Sequence, residues 1–132
     1  MDRITKEEAF MRMAEICALR STCRRLSVGT IITDSKVRNI LSMGYNGNYV
    51  GGPNVCDSNE VGNCGCIHSE VNSLIKCNNS ENMVMFTSES PCLSCSKLII
   101  NSNIKKVYYR NEYRLKEGVD LLRKMGVEVI KI

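Results

Sequence analysis

Residues 91–100 read "PCLSCSKLII": two cysteines three apart, behind a proline and ahead of an apolar run. Cys92 and Cys95 can be buried thiols, half of a redox pair, or two ligands of one metal, and the spacing alone does not choose. The nearest stretch of comparable chemistry is "HSEVNSL", residues 68–74, which holds the single histidine of the chain. Between them "MVMFTS", residues 83–88, is a short apolar run that reads as a buried strand. Each motif therefore stands where loop passes into helix, with a strand between.

That placement gives the residues a common task. Cysteines three apart share one face of a first helical turn. A helix N-terminus carries unpaired N–H groups and a partial positive charge, which favour thiolate over thiol. Pro91 suits a helix start, where its missing N–H costs nothing. His68, opening its own helix, adds a neutral imidazole. One nitrogen and two sulfurs suit zinc, and three protein ligands leave a fourth position for water, as in catalytic sites. Glu70 reaches the same point ahead of the helix axis and so stands beside that water without being a ligand. A zinc-stabilised binding module has no use for such an acid. A thioredoxin-like redox protein explains Cys92 and Cys95 but neither His68 nor Glu70.

Composition narrows the setting. With 132 residues, 43% of them apolar, the chain makes one domain, 1–132, with a core of its own. A charged fraction of 24% excludes a disordered chain. The net charge of +4 suits an anionic ligand such as a nucleotide. It is not the dense basic stripe of a nucleic-acid binder, and with no Trp and 5% aromatics there is little to stack flanking bases. That argues against an enzyme acting on a base within a nucleic acid. The opening "MDRITKEEAF" has no apolar stretch resembling a secretion signal, and no segment approaches the length of a membrane span. The expected setting is cytoplasmic, or a host's cytoplasm if the source is viral. Eight cysteines there point to metal or catalysis before disulfides, with Cys17 and Cys77 reading as small buried hydrophobes.

The remaining pattern predicts α/β architecture. A helix is expected over 5–20, with Ala9, Met13, Ile16 and Ala18 or Leu19 on its apolar stripe and Thr5 and Glu8 as a capping box. "SVGTIIT" (27–33) and "RNILSMGY" (38–45) form a hairpin about "DSKV". Residues 44–66, rich in Gly and Asn, are loop, and a loop of that length is functional or pinned by a metal. A helix over 68–77 places Val71, Leu74 and Ile75 on one side. Strands at 83–88, 105–110 and 127–132 alternate with helices at 92–101 and 112–125, which implies crossovers and some parallel strands.

An HxE followed by PCxxC is the signature of the zinc deaminases. The chain resembles the zinc-dependent cytidine/deoxycytidylate deaminase family, and its deoxycytidylate (dCMP) branch in particular. The matching stretches are "RSTCRRLSVGTII", "GYNG", "HSEVNSL", "PCLSCSKLII", "IKKVYY" and "LLRKMGVEV", in family order. The resemblance implies a three-layer αβα sandwich around a five-stranded mixed sheet. It also implies a homohexamer that deaminates dCMP to dUMP for thymidylate synthesis, with activity raised by dCTP and lowered by dTTP together with Mg²⁺.

Carried residue by residue, the resemblance makes His68, Cys92 and Cys95 the ligands of a catalytic Zn²⁺, which lowers the pKa of its water from ~15.7 to about 7. Glu70 then shuttles protons between that water and the ring. Arg25 would pair with the 5′-phosphate or be an exposed structural arginine. Asn46 would hold sugar or base, or satisfy its own turn. Ser69, where the family usually has Ala, would contact the base through its backbone N–H. Tyr109 and Tyr113 would bind the nucleotide or belong to the core. Gly44, Tyr45, Gly47 and Gly51 would form the regulatory-nucleotide loop, although Asn79 sits where some relatives carry an arginine supporting that control. Cys23, Cys56, Cys64 and Cys66 would hold a second, structural zinc, or remain reduced loop thiols.

Overall fold

The computed structural model describes residues 2–60 and 62–132. Its central strand is the apolar run picked out above. In β3 (Met83–Glu89), Met83 and Met85 face one side and Val84 and Phe86 the other, all buried. A strand covered on both faces reads as continuously apolar rather than alternating. On one flank β1 (Gly29–Thr33) pairs with it antiparallel and with β2 (Ile40–Tyr45) as the expected hairpin. On the other flank β4 (Ile104–Asn111) and β5 (Glu128–Lys131) run parallel to it, giving the order β2-β1-β3-β4-β5.

Parallel neighbours require crossovers. These are α3 (Leu93–Ile100), between β3 and β4, and α4 (Glu117–Lys124), between β4 and β5. Both lie with α2 (Ser69–Ile75) on the Met85 face, where Ile99, Val119 and Leu122 join one core cluster and Leu74 packs at its margin. The opposite face is covered by α1 (Lys6–Ala18), through Met11 and Ala14 against Phe86 and a Tyr108 ring stacked on it at 4.9 Å. The result is the expected αβα sandwich on a mixed five-stranded sheet. Among the described residues, no helix is long and apolar enough to cross a membrane.

Three local expectations need correction. First, α1 buries Met11, Ala14 and Ala18, while Ile16 and Leu19 are 65% and 79% exposed. The helix carries two apolar stripes, and only the sheet decides which is covered. Second, the α2 face that is buried is polar, Ser69, Glu70 and Ser73, while Ile75 is 71% exposed. A Cβ on Gly44 of β2 would stand 2.7 Å from the Ser69 carbonyl oxygen and 2.8 Å from the Ser73 nitrogen, so only glycine lets strand and helix backbones meet there. The hydroxyl of Ser42 donates to the Ser73 carbonyl at 2.6 Å, and that of Ser73 to the Glu70 carbonyl at 2.9 Å, so the buried polar face is satisfied. Third, the helix expected from residue 112 begins only at Glu117. The Tyr113 N–H is taken by the Ser90 hydroxyl at 2.6 Å, which keeps 112–116 as a strap over the end of the sheet.

The capping box at α1 is half made. Thr5 accepts from the Glu8 N–H at 3.0 Å, but the Glu8 carboxylate turns to Arg110 of β4, which grips it through both terminal nitrogens at 2.6 and 3.1 Å, and to Arg12 at 3.0 Å. Arg110 first, then Arg12, pull the Glu8 carboxyl down from 4.5 to about 2. A depressed folded-state pKa stabilises above the unfolded value and ceases to do so as pH falls through the folded one, so this contribution is lost between 4.5 and about 2. Glu8→Gln is therefore expected to lower the thermal unfolding midpoint near neutral pH and to make no difference by the lower bound of that window. An equal gap at both ends would assign the effect to packing.

Candidate active site

The N-termini of α2 and α3 converge at the carboxyl ends of the parallel strands, where ligands bind in open α/β sheets. His68 is the N-cap of α2 and Cys92 the N-cap of α3, both with extended backbones and neither using its side chain to cap. Pro91 stands one residue ahead of that cap rather than in the first turn. The two side chains are thus left free at adjoining helix starts, and Cys95 follows on the next inward position.

His68 Nδ1 lies 3.2 Å from Cys95 Sγ and 3.5 Å from Cys92 Sγ. Tetrahedral zinc with Zn–N near 2.0 Å and Zn–S near 2.3 Å sets such N···S edges at about 3.6 Å. The donor set and spacing therefore fit the ion. Hydrogen bonding from Cys95 chiefly, then from His68 and Ser94, pulls the Cys92 thiol down to about 3 against the effect of burial. Cys95 is pushed the other way, first by Cys92 and then by burial, so Cys92 ionises first. The hydrogen bond to Cys92 raises His68.

Glu70, on the first turn of α2, is buried beside this cluster. Burial raises its carboxyl above the ordinary range, and a hydrogen bond from the Ser69 hydroxyl to Oε1 at 2.8 Å partly offsets that. The sequence reading gave Ser69 only its backbone N–H, so its side chain contact with the acid is new. Glu70, His68, Cys92, Asn46, Arg25 and Tyr113 all line one cleft of about 1130 Å³, and Cys95 is buried outside its lining.

The other candidates are placed as follows. Asn46 is buried, accepting from the Val28 N–H at 2.9 Å and donating to the Leu26 carbonyl at 2.6 Å, so its amide fixes the strand entry at the cleft wall. Arg25 donates to the Asn59 carbonyl at 2.7 Å. Tyr109, 4% exposed, belongs to the core, its hydroxyl donating to Glu112 at 3.4 Å, and does not line the cleft. Gly44, Tyr45, Gly47 and Gly51 are outside the lining as well. Gly44 is pressed under α2, and Gly47 pairs with Ile67 in an isolated bridge. Lys97 and Arg114 add cations to the cleft that the sequence reading did not single out. Nothing short of the strap over residues 112–116 would have marked Arg114.

Cys23, Cys56, Cys64 and Cys66 also come together, with all four sulfurs within 4.8 Å of one another. Neighbouring sulfurs stand 3.9 Å (Cys23–Cys64), 3.8 Å (Cys56–Cys23) and 3.7 Å (Cys66–Cys56) apart. A tetrahedral zinc thiolate site has S···S edges of about 3.8 Å.

Comparison with known proteins agrees with this geometry. A profile of the cytidine and deoxycytidylate deaminase zinc-binding region matches residues 4–111. The crystal structure of the dCMP deaminase of cyanophage S-TIM5 in complex with dCMP and dUMP superposes over the whole of both chains, with 38% identity and a TM-score of 0.88. ComE operon protein 2 of Bacillus subtilis is 34% identical across all of this chain and 74% of its own length. The deoxycytidylate deaminase of Saccharomyces cerevisiae is 31% identical over 91% of this chain, which spans 42% of that longer protein. What the helix-end site defines as a zinc deaminase, these likenesses assign: the chain belongs to the cytidine and deoxycytidylate deaminase family.

The cysteine pair owes its position partly to α4. A Cβ on Gly118 would stand 2.7 Å from the Cys92 carbonyl carbon and oxygen, and closer still to the Pro91 oxygen. Gly118→Ala must push this backbone away, a strain of roughly 1–3 kcal/mol. The variant is expected to melt earlier and to retain less zinc after dialysis than the native chain. Full zinc content alongside a lowered melting point would show that α3 yields without moving its ligands.

Proposed function

We propose that the chain hydrolyses dCMP to dUMP and ammonia. The observation that carries the reading is the buried Glu70 carboxylate beside a three-donor zinc cluster, in a cleft that also holds Arg25, Lys97 and Arg114. The S-TIM5 relative, a dCMP deaminase solved with dCMP and dUMP, supports that choice of substrate. Held by His68, Cys92 and Cys95, zinc supplies the Lewis acidity that makes water a nucleophile at neutral pH.

The chain's own residues do the rest. Glu70 takes one proton from the attacking water and delivers it to ring nitrogen N3, beside the carbon bearing the amino group. It then collects the proton left on the added oxygen and gives it to the departing amine. Water's oxygen stays on the ring, one of its protons stays on N3, and the other leaves with ammonia, so the reaction balances. The three cations at the mouth suit the 5′-phosphate, and Tyr113 offers a ring at the same rim. Arg25 can pair with phosphate through its planar fork.

The same reading places a second, structural zinc on Cys23, Cys56, Cys64 and Cys66, whose sulfur spacing fits a closed thiolate site. The dUMP formed in the cytoplasm serves thymidylate synthesis. A homohexamer responsive to dCTP and dTTP with Mg²⁺ completes it, and the exposed Ile16, Leu19 and Met43 offer apolar surface for such assembly.

Two measurements test this. Native protein is expected to remove the cytosine absorbance band of dCMP, while Glu70→Gln of equal zinc content is slower by ~10²–10⁴-fold. If the native protein leaves dCMP intact even with dCTP and Mg²⁺, the substrate assignment is wrong. Metal analysis is expected to give two zinc ions per chain, and Cys56→Ser one. A single zinc in the native chain would reduce the loop cysteines to free thiols.

A further inference from the structure

The Glu70 carboxylate is held by a chain of buried hydroxyls. Ser69 Oγ donates to Glu70 Oε1 at 2.8 Å, and Thr30 Oγ1 lies 2.8 Å from Ser69 Oγ. Both Thr30 and Ser69 are 0% exposed, so the chain is closed to solvent. The direction follows from counting protons. Ser69 has one hydroxyl proton, and its hydroxyl donates to Glu70 Oε1. With that proton committed to Glu70, Thr30 must be the donor to Ser69. Donor chains of this kind polarise one another in one sense only.

The chain has a consequence for the acid. Oε1 accepts from within the fold, Glu70 lines the cleft, and Oε2 is the oxygen without a hydroxyl partner in the fold. A proton shuttle that loads and unloads one oxygen repeatedly needs that oxygen to stay aimed as its charge changes. Thr30 comes from the middle of the sheet, between Gly44 and Thr87 in register, so its position is fixed by both neighbouring strands.

We infer that Ser69 and Thr30 are positioning residues for Glu70, a two-hydroxyl relay that locks the carboxylate with Oε1 inward and Oε2 toward the substrate. Ser69 acts on the carboxylate directly and Thr30 through Ser69. Neither touches the reacting atoms. The inference rests on Glu70 being the proton carrier of the deamination reading above.

The test uses zinc-loaded full-length protein, native and as Ser69→Ala, Thr30→Val and the double variant. Ser69→Ala is expected to lower kcat about tenfold, the cost of one charge-assisted hydrogen bond, with KM for dCMP and zinc per chain unchanged. Thr30→Val is expected to lower kcat less. The double variant should be no slower than Ser69→Ala, because Thr30 has no other route to the acid. Crystals of zinc-loaded Ser69→Ala should show the Glu70 carboxylate rotated or in more than one conformer. A native kcat in Ser69→Ala overturns the relay, as do multiplying effects in the double variant or a loss that merely tracks zinc content. Should the native protein leave dCMP untouched, the substrate assignment fails on that ground alone. The Glu70 conformation in the crystals then still decides the relay, and a single unchanged conformer refutes it.

Discussion

Two helices that start within hydrogen-bonding reach of each other set the terms for this molecule. The N-termini of α2 and α3 each carry a partial positive charge, and bringing them together is unfavourable unless negative charge lies between them. Cys92, ionising far below an ordinary thiol, supplies it. The sheet leaves no other arrangement. Because β3 and β4 are parallel, α3 must begin at the carboxyl end of β3, and because β1 is antiparallel to β3, the chain can bring α2 back to the same end. Three donors able to hold a metal, an acid and a cleft are thus brought together by one topological choice.

Burying the acid has its own requirement. A carboxylate and two serines on the inner face of a helix cost free energy unless each finds a partner. Two partners come from the sheet, Thr30 for Ser69 and Ser42 for the Ser73 carbonyl, and the helix's own Ser69 hydroxyl serves Glu70. Gly44 makes this possible by letting α2 touch β2 backbone to backbone. The face that α2 buries most deeply is polar rather than apolar, and this is what sets an ionisable group beside His68 and Cys92.

The long loop is organised differently. It has few apolar side chains to bury, and the four sulfurs of Cys23, Cys56, Cys64 and Cys66 form its centre. The cluster also reaches the catalytic elements. Cys66 precedes His68 by two residues, with the Gly47–Ile67 bridge between loop and helix start, and the Arg24 N–H donates to Cys56 Sγ at 3.4 Å just ahead of Arg25. Whatever holds the sulfurs together also holds His68 and one wall of the cleft.

The α/β class, the strand and helix order, and His68, Glu70, Cys92 and Cys95 as one constellation are legible in the chain alone, while the grouping of Cys23, Cys56, Cys64 and Cys66 comes from the family resemblance. The elements are legible because apolar periodicity is local, and the constellation because its donors stand at two helix starts on either side of one strand. Residues whose meaning depends on distant partners are not. The stripe of α1 that is buried was misassigned because two stripes compete and only the sheet chooses. Tyr109 and Tyr113 look alike in sequence, yet one lies in the core and the other at the cleft, since β4 ends between them. The sequence points only to the backbone N–H of Ser69, whereas its side chain bonds the acid and meets Thr30, 39 residues away. Local chemistry is written in adjacent residues. Which face is covered, and which hydroxyl meets which carboxylate, is decided only when strands and helices from opposite ends of the chain are brought into contact.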